Sequence, residues 1–218
     1  MNRVFDRSAL RGIGTLAQTM HVSAGGDAPL DRHNATLVYI VAGAAKLIAR
    51  AAADREQVAA FNFADDIVMV PAQGAHAYLL QALVDCELLV FPYAALRDAV
   101  QVDPAVLARL LDNCDSALGR CREKALVLGR KTASERIACF LLSMAARIGV
   151  ASGAAVLLDL PMSRRDIGDG IGLTIETVSR QFSLLREDHL IATQGRSKVL
   201  LLDLPALKQR AGHLKNRA

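Results

Sequence analysis

Residues 161–190 read PMSRRDIGDGIGLTIETVSRQFSLLREDHL, and this stretch decides the fold. Ser163 is a favourable N-cap, and Asp166 three residues later completes a capping-box pattern. The pattern predicts a first helix that ends near Gly170. Gly172 follows, at the point where the chain must turn. Glycine suits a turn because it accepts a positive φ without steric cost. The first half of the stretch therefore predicts a short capped helix followed by a tight turn.

The second half of the stretch predicts a longer helix. Thr174 is its N-cap, the helix extends from Ile175 to about Glu187, and Glu176 lies in the first turn, where the helix dipole favours a negative charge. Apolar residues can hold the two helices against a small core, namely Ile167, Ile171, Leu173, Val178 and Leu185. Two capped helices around a glycine turn are the pattern of a helix-turn-helix, whose second helix enters the DNA major groove.

The outward face of the second helix carries Glu176, Ser179 and Arg180 at positions i, i+3 and i+4. Arg can bind guanine O6 and N7 together, Glu can accept from the amino group of cytosine, and Ser bonds to several bases. One G·C pair can therefore be read from both sides by Arg180 and Glu176. The alternative is a surface Glu–Arg ion pair that only supports the helix. The capped helices, the turn glycine and the basic flank favour base reading.

The residues after the second helix predict the hairpin of a winged helix. LIAT and KVLLLD flank the segment QGRS, with Gly195 in the turn, and a tail helix over residues 205–212 follows. Arg196 and Lys198 in this hairpin can contact phosphates, and ordinary surface charge is the alternative. The full set of predicted phosphate contacts is Ser163, Arg164, Arg165, Thr174, Thr177, Arg196 and Lys198.

The segment LPMSRRDIGDGIGLTIETVSR resembles the DNA-binding motif of the Crp/Fnr superfamily of bacterial transcription regulators, closest to the Fnr/FixK branch. The residues that carry the likeness are Glu176, Thr177, Val178, Ser179 and Arg180. In that branch E-x-x-S-R reads a TTGA half-site, so the resemblance implies this role for Glu176, Ser179 and Arg180. A weaker likeness covers nearly the whole chain. It implies a β-roll of the cyclic-nucleotide-binding type, a dimerisation helix, and activation through contact with RNA polymerase.

Charge is distributed unevenly along the 218 residues. Residues 1–129 carry 12 Lys and Arg against 14 Asp and Glu, whereas residues 130–218 carry 14 against 8. A basic half beside a slightly acidic half predicts a domain that binds double-stranded DNA and a domain with another task. No apolar run is long enough to span a bilayer, and the N-terminus lacks the apolar region of a signal peptide. We therefore expect a cytoplasmic protein with no membrane partner.

Short apolar runs separated by Gly, Asp and Pro extend from His21 to about Tyr93, and they predict a small β-sandwich or barrel. The run TLVYIVAG ends in a turn at Ala42-Gly43, and KLIARA is its expected partner strand. The Ala-rich residues 49–56 predict a hairpin tip. The predicted fold class is α+β, with a β-roll over residues 1–102, a dimerisation helix over 103–130 and a winged helix-turn-helix domain over 131–218.

Asp103-Pro104 opens a long helix with proline at its first position. Apolar residues then recur at alternating spacings of four and three, which defines a heptad seam of Leu107, Leu111, Cys114, Leu118, Cys121, Ala125 and Leu128. The seam is narrow and flanked by charges, which favours a parallel homodimer. Packing of the helix on its own β-domain is the alternative. A hinge at residues 129–131 and a second helix over residues 132–148 follow, and then a short strand leads into the helix-turn-helix.

The sequence does not name a signal for such a regulator. Residues 1–85 contain no Cys, which excludes an iron–sulfur cluster of the Fnr design, and residues 71–83 contain neither an acidic residue nor an Arg to bind a cyclic nucleotide. We therefore expect no cofactor. Haem on His21, His33 and His76 and redox chemistry at Cys114 and Cys121 stay open.

No catalytic constellation is present in the sequence, so we expect no enzymatic activity. The leading interpretation is a homodimeric transcription activator that reads a TTGA…TCAA-type palindrome. The alternative is a small-ligand or redox sensor that acts mainly as a repressor or as an architectural DNA-binding protein.

Overall fold

The structure, a computed structural model, describes residues 16–50, 56–100 and 104–212. The chain divides into two units, residues 1–119 and residues 120–218. The predicted domain boundary at residues 102 and 103 and most of the predicted hairpin tip, residues 51–55, lie outside the described residues. Within the described ranges, no helix is both long enough and apolar enough to cross a membrane.

The first unit is built from two antiparallel sheets. Its strands are β1 (Gln18–Val22), β2 (Thr36–Ala42), β3 (Ala44–Arg50), β4 (Glu56–Phe63), β5 (Ile67–Val70), β6 (Ala77–Ala82) and β7 (Cys86–Pro92). One sheet has the order β1-β7-β2-β5 and the other the order β4-β3-β6. Apolar side chains from both sheets form one buried cluster, so the unit is a sandwich, in line with the predicted β-roll.

Strand β2 is buried on both of its faces. Val38 and Ile40 belong to the core shared by the two sheets. Leu37 and Tyr39 point to the opposite face, where they pack with Leu96 of helix α1 (Tyr93–Val100). Burial on both faces explains the continuous apolar run of β2, which lacks the alternation of a half-exposed strand.

The predicted pairing of β2 with β3 is wrong. Strand β2 pairs with β5 and β7, whereas β3 pairs with β4 and β6. Gly43, with φ 95°, turns the chain from one sheet into the other. A Cβ at this position would lie 2.3 Å from the carbonyl oxygen of Asp85, so only glycine fits. The turn is in the predicted place, but it joins two sheets.

Helix α2 (Pro104–Arg130) begins at the predicted proline and has 27 residues, which makes it roughly 40 Å long. It continues through Gly129, so the chain leaves the helix at Lys131 and the predicted hinge begins too early. Leu110 packs on the outer face of the four-stranded sheet. The neighbouring seam residues Leu107 and Leu111 are 45% and 60% exposed. Helix α1, which precedes α2, has no counterpart in the sequence-based prediction.

The second unit combines helices with a small sheet. Its elements are α3 (Ala133–Ile148), β8 (Val150–Ser152), β9 (Ala155–Asp159), α4 (Arg164–Ile171), α5 (Ile175–Glu187), β10 (Ile191–Gln194), β11 (Lys198–Leu201) and α6 (Leu204–Arg210). The sheet order is β10-β11-β9-β8. The sequence predicts one strand before the helix-turn-helix, but the structure has two. The extra strand, β8, is a fully exposed edge strand of three residues.

Helix α3 forms the base of this unit. Thr132 caps it through a capping box with Glu135, whose carboxylate accepts from the Thr132 backbone N–H at 2.8 Å. These hydrogen bonds hold the pKa of Glu135 below its usual range. Ile137 and Leu141 of α3 are completely buried, and the helix packs against α4, α5, α6 and β9. The base therefore supports both helices of the helix-turn-helix.

Candidate DNA-binding surface

The predicted capping box at the start of α4 is present. The Ser163 backbone N–H donates to Asp166 Oδ2 at 2.8 Å, and the Asp166 N–H donates to Ser163 Oγ at 3.1 Å. The helix ends at Gly172, which has a left-handed backbone with φ 68° and donates its N–H to the carbonyl of Gly168. The two ends of α4 are thus set by local contacts, as the sequence pattern predicts.

Besides Gly172, the turn needs Gly168, which lies inside α4 and which sequence reasoning missed. A Cβ on Gly168 would lie 2.4 Å from the carbonyl oxygen of Leu173. The Leu173 N–H donates back to the Gly168 carbonyl at 3.0 Å. The turn therefore folds directly onto the α4 backbone. A glycine inside an eight-residue helix, where it costs helix stability, is the signal that indicates such a close approach.

Helix α5 begins and ends where the sequence predicts. Thr174 is its N-cap and accepts from the Thr177 N–H at 3.2 Å. On the inner face, Val178 and Leu185 are buried, together with Phe182. Ile167 of α4 is also completely buried, so the two helices are held by aliphatic packing.

The outer face of α5 presents Glu176, Ser179 and Arg180, which are all exposed. The described residues contain no ion pair between Glu176 and Arg180, which is the contact that the alternative interpretation requires. The pKa of Glu176 is lowered by its own backbone N–H, by a hydrogen bond from Thr174 and by the charge of Arg165. Glu176 is therefore an ionised acceptor at neutral pH, and Arg180 on the same face remains free to act as a donor.

The predicted phosphate contacts in the helix-turn-helix have different surroundings. Arg165 is exposed, as a phosphate contact must be. The Ser163 hydroxyl donates to Asp166 Oδ2 at 2.6 Å, so in this structure Ser163 serves as the N-cap of α4. The Arg164 guanidinium lies 3.3 Å from the ring centroid of Phe182, and burial lowers its pKa to about 10. Arg164 thus packs on the inner side of the motif, and its contact with phosphate stays a prediction.

The wing is the hairpin of β10 and β11. Gln194 pairs with Lys198, and Gly195 in the turn has φ 62°. Arg196 and Lys198 are both exposed at the tip. Two basic side chains at an exposed hairpin tip can reach a DNA backbone beside the groove.

The side chains considered for haem and redox chemistry are scattered. His21, His33 and His76 are all exposed, as are Cys114 and Cys121. Among the described residues, no group of three or more His, Cys, Asp or Glu is placed to hold a metal ion. The absence of a cofactor stays a prediction.

Comparisons with known proteins identify the family of the domain that carries this surface. A family model for the Crp-like helix-turn-helix domain matches residues 135–210. The transcriptional activator protein FnrL of Cereibacter sphaeroides is 35% identical over 177 residues, which cover 79% of this chain and 71% of that protein. The nitrogen fixation regulation protein FixK of Azorhizobium caulinodans is 35% identical over 174 residues, which cover 79% and 70%.

The fold agrees with these sequence relatives. The solved structure of FixK2 from Bradyrhizobium japonicum matches with a TM-score of 0.78 at 28% identity, over 91% of this chain and 99% of that one. The predicted α+β class and the predicted family are both confirmed. The family consists of transcription regulators and not of enzymes. The chain is therefore a DNA-binding transcription regulator and belongs to the Crp/Fnr family, in its FixK/Fnr branch.

Proposed function

We propose that the chain activates transcription as a homodimer, with α5 of each protomer in the major groove of a TTGA…TCAA-type palindrome. The observation that carries the proposal is the exposed face of Glu176, Ser179 and Arg180 on a helix that is capped at its start and packed on its other side. A rigid helix with a free polar face is what direct readout of base edges requires.

Each of the three side chains contacts a different base of the half-site, according to its hydrogen-bonding groups. Arg180 donates to O6 and N7 of guanine, and Glu176 accepts from the amino group of the paired cytosine. Ser179, one helical turn from Glu176, bonds to a neighbouring base. Arg165, Arg196 and Lys198 contribute phosphate contacts on either side of the groove.

The heptad seam supports dimerisation. Leu107, Leu111 and Leu118 are between 45% and 60% exposed in the single chain. Large apolar side chains repeated at heptad spacing favour burial against a second copy of the same helix. A two-fold dimer in turn suits a palindrome, because each half-site meets an identical recognition helix.

The names of the relatives support the proposed activation. The FnrL relative is named a transcriptional activator protein, and contact with RNA polymerase is the way in which the resemblance implies activation. We propose the same role here, in the cytoplasm together with the chromosome. The proposal includes no resident cofactor.

The proposed function is tested by a binding titration with a TTGA…TCAA duplex and a scrambled duplex of the same composition. We expect the palindrome to bind at least roughly 10³-fold more tightly, which is the lower end for specific regulators. Equal affinity for the two duplexes would contradict the proposed specificity.

The dimer is tested with a matched pair of substitutions on α2. Leu111→Glu places a charge in the seam, whereas Leu126→Glu places the same charge outside it on a leucine of similar exposure, 58% against 60%. We expect Leu111→Glu to be monomeric in sedimentation velocity and to lose the palindrome, and Leu126→Glu to remain a dimer. If both variants behave alike, the seam is not the dimer contact.

A further inference from the structure

Arg136, on α3, donates from its guanidinium to four backbone carbonyls in three different segments. Nη2 donates to Leu128 O at 2.8 Å, in the last turn of α2, and Nε donates to Lys131 O at 2.9 Å. Nη1 donates to Ile171 O at 3.1 Å and to Gly172 O at 3.2 Å, where α4 ends and the turn begins. One half-buried side chain thus joins the end of α2 to the turn of the helix-turn-helix.

The chemistry of the acceptors explains why an arginine fits this position. A helix leaves its last four carbonyls without an internal partner, and each C-terminus carries about half a negative charge. The negative C-terminal ends of α2 and α4 both lie against the same guanidinium. Without its positive charge these two ends would repel each other. A guanidinium stays charged and holds five N–H donors in one plane. A Lys ammonium has fewer donors and no planar fork, so it cannot hold four carbonyls in this arrangement.

The packing at Gly172 is independent evidence for the same close approach. A Cβ built on Gly172 would lie 3.1 Å from Leu128 Cδ2 and 3.2 Å from Arg136 Nη1. Leu128 is also the last residue of the heptad seam. The residue that ends the proposed dimer contact therefore lies directly against the turn that precedes the recognition helix.

We propose that Arg136 is a positioning residue that fixes the direction of α4 and α5 relative to the last turn of α2, and thereby sets the half-site spacing that the dimer accepts. The inference rests on the proposed function, since spacing has meaning only for a dimer on a palindrome. Recognition helices of such dimers must lie about one DNA turn, roughly 34–36 Å, apart. A looser contact at Arg136 changes the angle between α2 and the motif, so it weakens the preference for one spacing and leaves base reading intact.

The test uses Arg136→Lys, which keeps the charge and removes the planar fork. Arg130→Lys is the matched control, because Arg130 is an exposed arginine at the end of α2. Each protein is titrated with a duplex holding one TTGA half-site, with the palindrome, and with palindromes whose spacer is shorter or longer by a single base pair.

For Arg136→Lys we expect an affinity for the single half-site within about twofold of wild type, since α5 is intact. For the palindrome whose spacer the wild type prefers, we expect the affinity to fall at least about tenfold. A fall of this size corresponds to the loss of one hydrogen bond to a charged group. The affinity of Arg136→Lys should also change less with spacer length than the affinity of the wild type does. Arg130→Lys should match the wild type throughout.

Equal losses on the half-site and the palindrome would overturn the proposal, because they would assign Arg136 to the folding of the motif alone. An unchanged dependence on spacing would also overturn it. Gly172→Ala, with its fold checked by circular dichroism, disturbs the same contact from the other side and should flatten the spacing preference as well; a preference as sharp as that of the wild type counts against the proposal. If the wild type binds palindromic and scrambled duplexes equally, the proposed function itself has failed.

Discussion

Replacing Arg180 by Ala is the most direct test of base reading. Arg180 is exposed and has no hydrogen-bond or ion-pair partner within the described residues, so its loss should change the free energy of unfolding by less than about 0.5 kcal/mol. Any large effect on DNA binding then comes from the contact with DNA. A bidentate contact to guanine is worth about 1–3 kcal/mol of discrimination.

The proposed dimer would use this residue twice, once in each half-site. If the half-sites act independently, the loss on the palindrome is about 2–6 kcal/mol, or roughly thirty-fold to more than ten-thousand-fold in affinity. The loss should fall mainly on the palindrome. Binding to a scrambled duplex depends on phosphate neutralisation, to which Arg180 contributes little from the centre of the reading face.

The assay is a titration of both duplexes at several salt concentrations, with Lys198→Ala for comparison. Lys198 is exposed on the wing. Its removal should weaken both duplexes to the same extent and reduce the slope of log K against log salt by about one for each half-site. If Arg180→Ala instead weakens both duplexes equally, Arg180 is a phosphate contact and the assigned reading face is wrong.

Two further predictions concern the seam and the β-unit. Mild oxidation should give a covalent dimer on a non-reducing gel through Cys114 and Cys121, because both are exposed at the same heptad position and a disulfide needs Cβ atoms about 3.5–4.5 Å apart. Replacing both by Ser should abolish the band, and a monomer after oxidation would contradict a parallel seam. Calorimetric titration with cyclic AMP or cyclic GMP should show no binding, because residues 71–83 contain neither an acidic residue nor an Arg to hold the ligand. Two arginines, Arg32 and Arg50, border the cavity of about 280 Å³ in this unit, and Arg50 is ion-paired with Glu56. A micromolar Kd for either nucleotide would contradict this expectation.

The helix-turn-helix can be predicted from sequence because its determinants are local. The capping box of Ser163 and Asp166 acts across three residues, and so does the contact between Thr174 and Thr177. The positive φ of Gly172 is likewise a property of one residue and its turn. Since none of these contacts depends on distant parts of the chain, the pattern predicts the bounds of both helices closely.

Strand pairing in the first unit is not local, and there the prediction fails. The Ala42-Gly43 turn reads as a hairpin, but β2 pairs with β5 and β7, and the chain passes at Gly43 into the other sheet. One face of β2 is then covered by that sheet and the other packs with Leu96 of α1. Helix α1 starts directly after β7, at Tyr93, where the sequence pattern still predicts a strand. Strand β8 has only three residues, all of them exposed. The pairing of β2 thus depends on strands that are distant in sequence, whereas β8 pairs with the adjacent β9 and is too short to give a pattern.

The side chains that orient the helix-turn-helix are the part that sequence reasoning misses. The contact of Arg164 with the Phe182 ring cannot be seen in the sequence, and Arg136 belongs to no motif but donates to four carbonyls. The sequence shows only an arginine on a helix in both cases, and the tertiary fold decides whether it meets water, a ring or a carbonyl. On the proposed function the E-x-x-S-R motif determines which bases are contacted, and on the further inference Arg136 determines where the two reading faces lie. Two chains with the same motif can then accept palindromes of different spacing.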